Sequence, residues 1–132
     1  MALVVVTAAA GTLMIGSPAL AEGEDPSSSG CSPATTVREF TASKTGIRVE
    51  LRYSDNCDGA WARSTQPGNN RYGTAIFLQS SDGLLYTHQL GHGSQEWTTK
   101  ANWTRTLRAC YGWGYIGPAW NNYQSFECTT WW

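Results

Sequence analysis

Apolar and charged residues alternate in the centre of the chain. Over residues 47–53 every second side chain is apolar, and the side chains between them are charged. A period of two is typical of a β-strand with one buried face and one solvated face. The pattern therefore predicts a strand whose charged face lies in water. The apolar set is Ile47, Val49, Leu51 and Tyr53, and the charged set is Arg48, Glu50 and Arg52.

A second region predicts a β-hairpin. Residues 74–79 read TAIFLQ, a β-branched and apolar run, and residues 84–88 form the return segment. Ser81, Asp82 and Gly83 lie between the two runs. They favour a tight turn, because Gly83 can adopt a positive φ at no steric cost. We therefore expect two antiparallel strands joined by a short turn over residues 74–88.

Shorter alternating or β-branched runs predict further strands. These runs are separated by segments rich in Gly, Pro and Asn, which are typical of turns. About six or seven short strands at this spacing predict an all-β, single-domain fold, either a sandwich or a small barrel. The additional predicted strands lie at residues 35–41, 60–64, 103–111 and 125–132.

The beginning of the chain is typical of an export signal. Residues 2–16 carry no charge, and Ala19 and Ala21 provide the small side chains that signal peptidase accepts. We expect cleavage after Ala21, with a short buried helix or a retained anchor as the alternatives. Because no basic residue precedes the apolar run, we also expect the true start to lie upstream. The predicted organisation is a signal peptide at 1–21, a flexible acidic and Ser-rich lead-in at 22–30, and a disulfide-stapled β domain at 31–132.

Four cysteines follow the leader. An even number in a small exported domain predicts two disulfides. Three pairings are possible, and the sequence does not choose among them. We favour Cys31–Cys57 with Cys110–Cys128, because short loops close at the least entropic cost. A zinc site needs closely spaced cysteine pairs, which the sequence lacks, so we expect no metal and no other cofactor.

Composition narrows the classes of function. Charged residues make up 14% of the chain and the net charge is -1. A nearly neutral chain gives no electrostatic basis for binding nucleic acid or an anionic membrane. We expect a secreted, extracellular protein with no membrane span once the signal is removed.

Residues 49–63 read VELRYSDNCDGAWAR. This stretch resembles the signature of a YjfA-like family of small secreted proteins, largely actinobacterial, which form a domain of unknown function. Cys31 matches an early cysteine of that family, and residues 74–111 match a later strand region. The chain departs from the family pattern at Asp58 and Gly59 and in the aromatic tail beyond Cys110. The resemblance implies a secreted β domain and carries over no catalytic residue.

Two residues of this stretch have more than one interpretation. We expect Trp61 to be a core residue that packs against Tyr53 and a disulfide. Arg63 lies two positions further along the same strand, so it shares the face of Trp61. A buried arginine needs a carboxylate or several carbonyls. A structural pair with Glu50 is the favoured interpretation, and a ligand clamp is the alternative.

The sequence gives little support for catalysis. His88 and His92 lie on either side of a Gly-containing bend, with Asp82 and Glu96 nearby in the chain. A metal site needs three or four converging ligands, and no nucleophile-elbow pattern is present. We therefore predict no catalytic residues. A small secreted hydrolase, or an inhibitor of one, is kept as the alternative function.

Aromatic residues crowd the last third of the chain. A small β domain can hardly bury all of them, and tryptophan is rarely buried completely. Exposed aromatic rings on a β surface suit a glycan or a protein partner. We therefore predict a non-catalytic binding module, whose partner is a cell-wall glycan or an extracellular protein. The alternative is that the tail closes the core. The predicted surface comprises Trp113, Tyr115, Trp120, Tyr123, Trp131 and Trp132.

Overall fold

A computed structural model describes residues 22–66, 74–91, 93–115 and 123–132. The predicted leader lies outside the described residues. These residues form nine strands and no helix. They are β1 (Thr35–Thr41), β2 (Arg48–Ser54), β3 (Gly59–Thr65), β4 (Thr74–Ser80), β5 (Leu85–Gln89), β6 (Gln95–Trp97), β7 (Ala101–Asn102), β8 (Leu107–Tyr115) and β9 (Tyr123–Cys128).

The strands make two antiparallel sheets. The first, sheet A, has the order β1-β2-β3-β6, and β7 also pairs with β3. The second, sheet B, has the order β5-β4-β8-β9. The prediction of an all-β fold is confirmed, in the form of a sandwich. The sequence did not indicate β6 and β7, which are only 3 and 2 residues long.

The core lies between the two sheets. Val49 and Leu51 of β2 and Ile76 and Leu78 of β4 are completely buried there. Each buried side chain of this kind contributes about 1.5–3 kcal/mol relative to its exposed state. The predicted apolar face of β2 is therefore confirmed as its core face. Further members of the same cluster are Ala42, Ile47, Ala60, Ala62, Leu90, Ala101, Leu107, Ala109 and Tyr111.

The predicted hairpin is confirmed as β4 and β5. The strands pair in antiparallel register from Ala75 opposite Gln89 to Gln79 opposite Leu85. Gly83 has a φ of 104° in the connecting turn, as a tight turn of this kind requires. The hydroxyl of Ser80 accepts a hydrogen bond from the Leu84 amide at 2.8 Å, which closes the turn.

Both favoured disulfides are present. Cys31–Cys57 ties the segment before β1 to the turn between β2 and β3. Cys110–Cys128 joins residues that lie directly opposite each other in β8 and β9. The two bridges therefore have different structural roles. Cys31–Cys57 fixes a segment outside the strands, whereas Cys110–Cys128 links two strands that are already paired.

The charged side of β2 is not uniformly solvated. Arg48 is exposed, but Glu50 retains only 3% of its accessible surface and Arg52 is half-buried. The prediction that this face lies in water is wrong for Glu50. Its cover includes Arg63 of β3 and Thr36 of β1, whose side chains both contact the carboxylate.

The residues predicted to form a flexible lead-in lie against the domain. The Gly23 amide donates to the Lys100 carbonyl at 2.8 Å, and the Lys100 amide donates to the Glu24 carbonyl at 2.9 Å. Glu22 also accepts two hydrogen bonds from Arg105, at 2.7 and 2.8 Å. Residues 22–34 thus pass over the outer face of sheet A before β1 begins. Within the described ranges, no helix is long and apolar enough to cross a membrane.

Candidate functional site

Three features of the surface could carry function: a charged network on the outer face of sheet A, a cleft beside His88, and a group of aromatic rings at one end of the sandwich. The charged network follows from the pairing of β2 with β3, which places Glu50 opposite Arg63 and Arg52 opposite Trp61. Ala60 and Ala62 face the core, so the residues between and after them face outward.

Glu50 is the centre of the charged network. Its carboxylate accepts hydrogen bonds from Thr36 Oγ1 at 2.7 Å and Arg63 Nε at 2.9 Å, and Arg63 Nη2 lies at 2.8 Å. Burial opposes ionisation, but these donors outweigh it and lower the pKa of Glu50 below its ordinary value. The predicted structural pair of Arg63 with Glu50 is confirmed.

Trp61 is buried, but not where it was expected. It keeps 6% of its accessible surface and lies on the outer face of sheet A, below the segment that contains Pro26 and Cys31. Tyr53 faces the other side of β2, because it lies opposite Ala60 rather than Trp61. The predicted packing of Trp61 against Tyr53 is therefore wrong, and Trp61 lines the same cleft as Cys31.

The second feature is built around Glu96. Its Oε1 lies 2.7 Å from His88 Nε2. Its carboxylate also accepts hydrogen bonds from the backbone amides of Gly91 and Gly93 at 3.0 Å and from Gln66 Nε2 at 3.1 Å. Burial opposes ionisation of Glu96, but the hydrogen bonds favour the ionised form and lower the pKa of Glu96 below its ordinary value. This carboxylate fastens the connection between β5 of sheet B and β6 of sheet A.

A cleft of about 420 Å³ opens beside this pair. Asp25 from the lead-in and Trp97 from β6 meet there, with Trp97 Nε1 donating to Asp25 Oδ1 at 2.9 Å. That bond and two from Ser27 lower the pKa of Asp25. Both carboxylates of the cleft therefore act as hydrogen-bond acceptors at neutral pH rather than as proton donors.

The described part of the chain contains no group of three or more His, Cys, Asp or Glu side chains that could hold a metal ion. His92 lies outside the described residues. His88 and Glu96 are brought together, whereas Asp82 pairs with Arg105 in another region. His88 and Glu96 alone would supply two ligands, fewer than the three or four that a protein metal site uses.

The third feature is an aromatic end, which we define as Tyr53, Trp103 and Trp132 together with Trp131, which adjoins Trp132 in the chain but lies on the other side of this segment, against Arg108. The Tyr53 ring contacts Trp103 edge-on with centroids 6.3 Å apart, and it contacts Trp132 at 5.3 Å. Trp132 exchanges two backbone hydrogen bonds with Leu107, at 2.9 and 2.8 Å. Those bonds fasten the C-terminal residues beside the start of β8.

The two tryptophans at the end of the chain differ in exposure. Trp132 is partly buried and packs against the core. Trp131 is 39% exposed. The Arg108 guanidinium lies over the Trp131 ring, 4.4 Å from the ring centroid. Successive residues of an extended segment point to opposite sides, which accounts for this difference.

The remaining predicted surface residues are placed elsewhere or only in part. Trp113 is half-buried, packs against the core and lies 5.2 Å below the Lys44 ammonium group. Tyr115 and Tyr123 are opposite each other in β8 and β9, and only their backbone is described. Trp120 lies outside the described residues. Trp113 is thus not a member of the aromatic end.

Trp103 was missed as a surface residue. The predicted strand at 103–111 made it part of a regular element, but β8 begins at Leu107. Residues 103–106 instead form a turn, in which Asn102 Oδ1 accepts hydrogen bonds from the amide and the hydroxyl of Thr104 at 2.9 and 2.7 Å. The Asn-x-Thr spacing is a signal for such a turn, since asparagine side chains bond the backbone two residues on.

The fold and the bridges define a class: a small, disulfide-stapled β-sandwich. The family model described as "Protein of unknown function (DUF2690)" matches residues 19–106, and the chain belongs to that family. The match covers β1 to β7 and ends one residue before β8. No curated protein and no solved structure matches the chain.

Proposed function

We propose that this protein is a secreted, non-catalytic binding module whose contact surface is the aromatic end. The observation that carries the proposal is the exposure of two tryptophans, 45% for Trp103 and 39% for Trp131. They are the large apolar side chains most open to water among the described residues. Exposed tryptophans are enriched among the residues that dominate binding energies.

The exposed rings are held in place. Trp103 lies against Tyr53, and Trp131 lies against the Arg108 guanidinium, which is fixed in turn by a 2.7 Å hydrogen bond to Gln79. A ring that is already oriented loses little conformational entropy when a ligand binds. Trp103 and Trp131 therefore provide two rings that are oriented before a ligand binds.

A glycan is the ligand that this surface fits best. Flat aromatic faces pack against the apolar faces of sugar rings, while neighbouring hydroxyls and amides bond the sugar hydroxyls. Asn102 and Thr104 flank Trp103 in the chain, and Thr130 precedes Trp131. The two disulfides suit an oxidising compartment, so we place the glycan in the cell wall or outside the cell.

The alternative, a small secreted hydrolase, has one observation in its favour, the contact between His88 and Glu96 beside the cleft. A general acid needs a carboxyl with a raised pKa, but the pKa values of Glu96 and Asp25 are both lowered. Glu96 is also occupied by the amides of Gly91 and Gly93. The lowered pKa values and the hydrogen bonds of Glu96 favour a structural role for these carboxylates over a role in hydrolysis.

A pull-down on whole cell walls and insoluble polysaccharides tests the proposal. The oxidised protein should bind, and Trp103→Ala with Trp131→Ala should lose binding without a fall in melting temperature. Trp103→Phe with Trp131→Phe is the matched control, because it keeps an aromatic face and should retain most of the binding. If the protein binds no wall material or polysaccharide, the glycan is excluded, and a protein partner or packing of the tail onto the core is left as the reason for the tryptophans.

We also propose a closer relationship of this chain to the YjfA-like proteins. The stretch VELRYSDNCDGAWAR supports a place among the YjfA-like, largely actinobacterial proteins. In the structure this stretch forms β2, the turn that contains Cys57, and most of β3.

A further inference from the structure

A second, smaller cleft of about 280 Å³ lies on the outer face of sheet A. One wall is formed by the lead-in and the Cys31–Cys57 bridge, and the floor by outward-facing side chains of β2 and β3. Arg52 and Arg63 both line it, together with the indoles of Trp61 and Trp97.

The hydrogen bonds of Arg52 are incomplete. Its Nη1 donates to Thr36 Oγ1 at 2.8 Å, and its Nη2 donates to the Ala34 carbonyl at 3.3 Å. A guanidinium has five N–H donors. The Nε atom is buried and has no hydrogen-bond partner among the described residues. A buried donor without a partner costs free energy, so this atom marks a place where an acceptor would be favoured.

Arg52 differs from the neighbouring arginines in its ionic partners. Glu50 bonds Arg63, and Glu39 pairs with Arg48, whereas Arg52 forms no ion pair within the described residues. Arg52 is therefore the arginine of β2 and β3 without a direct carboxylate partner, although Thr36 links it to Glu50. Burial and the neighbouring Arg63 charge lower the pKa of Arg52, and the Glu50 charge opposes this effect.

We propose that this cleft, which we call the Arg52 cleft, binds a ligand through a carboxylate. A carboxylate would give Arg52 a direct ionic partner, and its two oxygens match the fork of a guanidinium. The indoles of Trp61 and Trp97 provide an apolar wall for the body of the ligand. A uronic acid or another carboxylated sugar has the required chemistry. The proposal is independent of the aromatic end.

A nuclear magnetic resonance titration of the oxidised protein tests this site at fixed ionic strength. D-glucuronate is the probe and D-glucose is its matched control, because the two differ only in the carboxylate. Glucuronate should shift the Nε–H resonance of Arg52 and the indole N–H resonances of Trp61 and Trp97. Glucose at the same concentration should leave the Arg52 resonance unmoved. Equal shifts with both sugars would overturn the proposal.

Two substitutions on β2 sharpen the test. Arg52→Gln removes the unpaired charge and should weaken glucuronate binding roughly tenfold or more, the effect of losing a charge-assisted hydrogen bond. Arg48→Gln removes a charge from the same face of the same strand and should leave the affinity within about twofold. Equal losses in both variants would indicate general electrostatic attraction and would contradict a specific site.

A titration with inorganic phosphate tests whether the Arg52 cleft prefers a carboxylate or a phosphate. Phosphate that binds more tightly than glucuronate would overturn the assignment to a carboxylate. Should Arg52→Gln fail to fold, the shift of the Arg52 Nε–H resonance in the unsubstituted protein decides the question alone. If Arg52→Gln still binds cell walls, the aromatic end is still supported as the contact surface of the proposed function. Failure of one proposal is therefore distinguishable from failure of the other.

Discussion

The outer faces of the two sheets are opposite in character. On sheet A, a buried carboxylate and two arginines lie below the lead-in and one disulfide. On sheet B, an apolar cluster occupies the outer face and includes the other disulfide. The members of this cluster are Ala75, Phe77, Cys110, Leu85, Phe126 and Cys128.

The difference shows that the outer faces of a sandwich of this size can be stabilised by two kinds of interaction. On sheet B the stabilisation comes from apolar contact, which does not depend on the ionisation of any group. On sheet A it comes from hydrogen-bonded charges, which stabilise only while they are ionised and paired. Sheet A therefore has the chemistry for recognising a charged ligand, and sheet B has the chemistry of a second small core.

The largest effect is expected on sheet B. Phe77 is completely buried and packs against Phe126 with ring centroids 5.6 Å apart. Phe77→Ala should lower the free energy of unfolding by about 3–5 kcal/mol, measured by denaturant titration. The loss should be the same at pH 7 and pH 4, since no titrating group is involved. A loss below about 1 kcal/mol would show that this outer cluster is not a core.

Removal of the Glu50 carboxylate on sheet A should lower the free energy of unfolding slightly less than Phe77→Ala does. Glu50→Ala leaves Arg63 without its carboxylate and should lower the free energy of unfolding by about 3 kcal/mol, the lower end for a broken buried pair, because Arg63 keeps some access to solvent. Denaturant titration measures this value. Glu50→Gln is the matched control, because it keeps the shape and some hydrogen bonds and should cost less.

The effect of Glu50→Ala should depend on pH, in contrast to that of Phe77→Ala. The pKa of Glu50 is lowered in the folded protein, so its stabilising contribution is complete above the ordinary value of 4.5. The contribution is lost as the pH falls through the lowered pKa. The difference between Glu50→Ala and the unsubstituted protein should therefore shrink below about pH 4.5. A difference that is constant with pH would contradict the ionised pair.

Breaking Cys31–Cys57 should give the third largest effect. Cys31→Ser with Cys57→Ser should cost about 2–3 kcal/mol and should release the lead-in from sheet A. Hydrogen exchange measures the release at the Lys100 amide, which bonds the Glu24 carbonyl. Cys110→Ser with Cys128→Ser is the control and should leave the Lys100 amide protected. Unchanged protection in both variants would show that the bridge does not hold the lead-in.

The smallest effect is expected at the exposed edge of the charged network. The Arg48 side chain is 53% exposed and pairs with Glu39. Arg48→Gln should change the free energy of unfolding by less than about 0.5 kcal/mol, because exposed ion pairs contribute little. A melting curve in low and high salt checks this value. A loss above about 1 kcal/mol would mean that the charged network extends further outward than its burial indicates.

Local patterns account for the features that the sequence predicts correctly. The alternation in β2 fixes which residues enter the core, and the turn at Gly83 fixes the β4–β5 hairpin. The strand periodicity also places Trp61 and Arg63 on the same face, from which the pair with Glu50 follows. Each of these depends on residues that are close in the chain or adjacent across a sheet.

Contacts between distant segments account for what the sequence does not predict. Trp97 meets Asp25 across 72 positions, and Arg105 meets Glu22 across 83. No periodic signal reports that a polar lead-in lies on a sheet. In the same way, β6 and β7 are too short to show a period, and the turn before β8 exposes Trp103. The cover of sheet A and the position of the aromatic end could therefore be learned only from the fold.

The most direct test of the proposed function is to observe the tryptophan indole N–H resonances while solubilised wall polysaccharide is added. The resonances of Trp103 and Trp131 should shift first and most, since these are the exposed rings of the aromatic end. The resonance of Trp113, which packs against the core, should move little. Shifts at Trp113 with none at Trp103 and Trp131 would contradict the aromatic end as the binding surface.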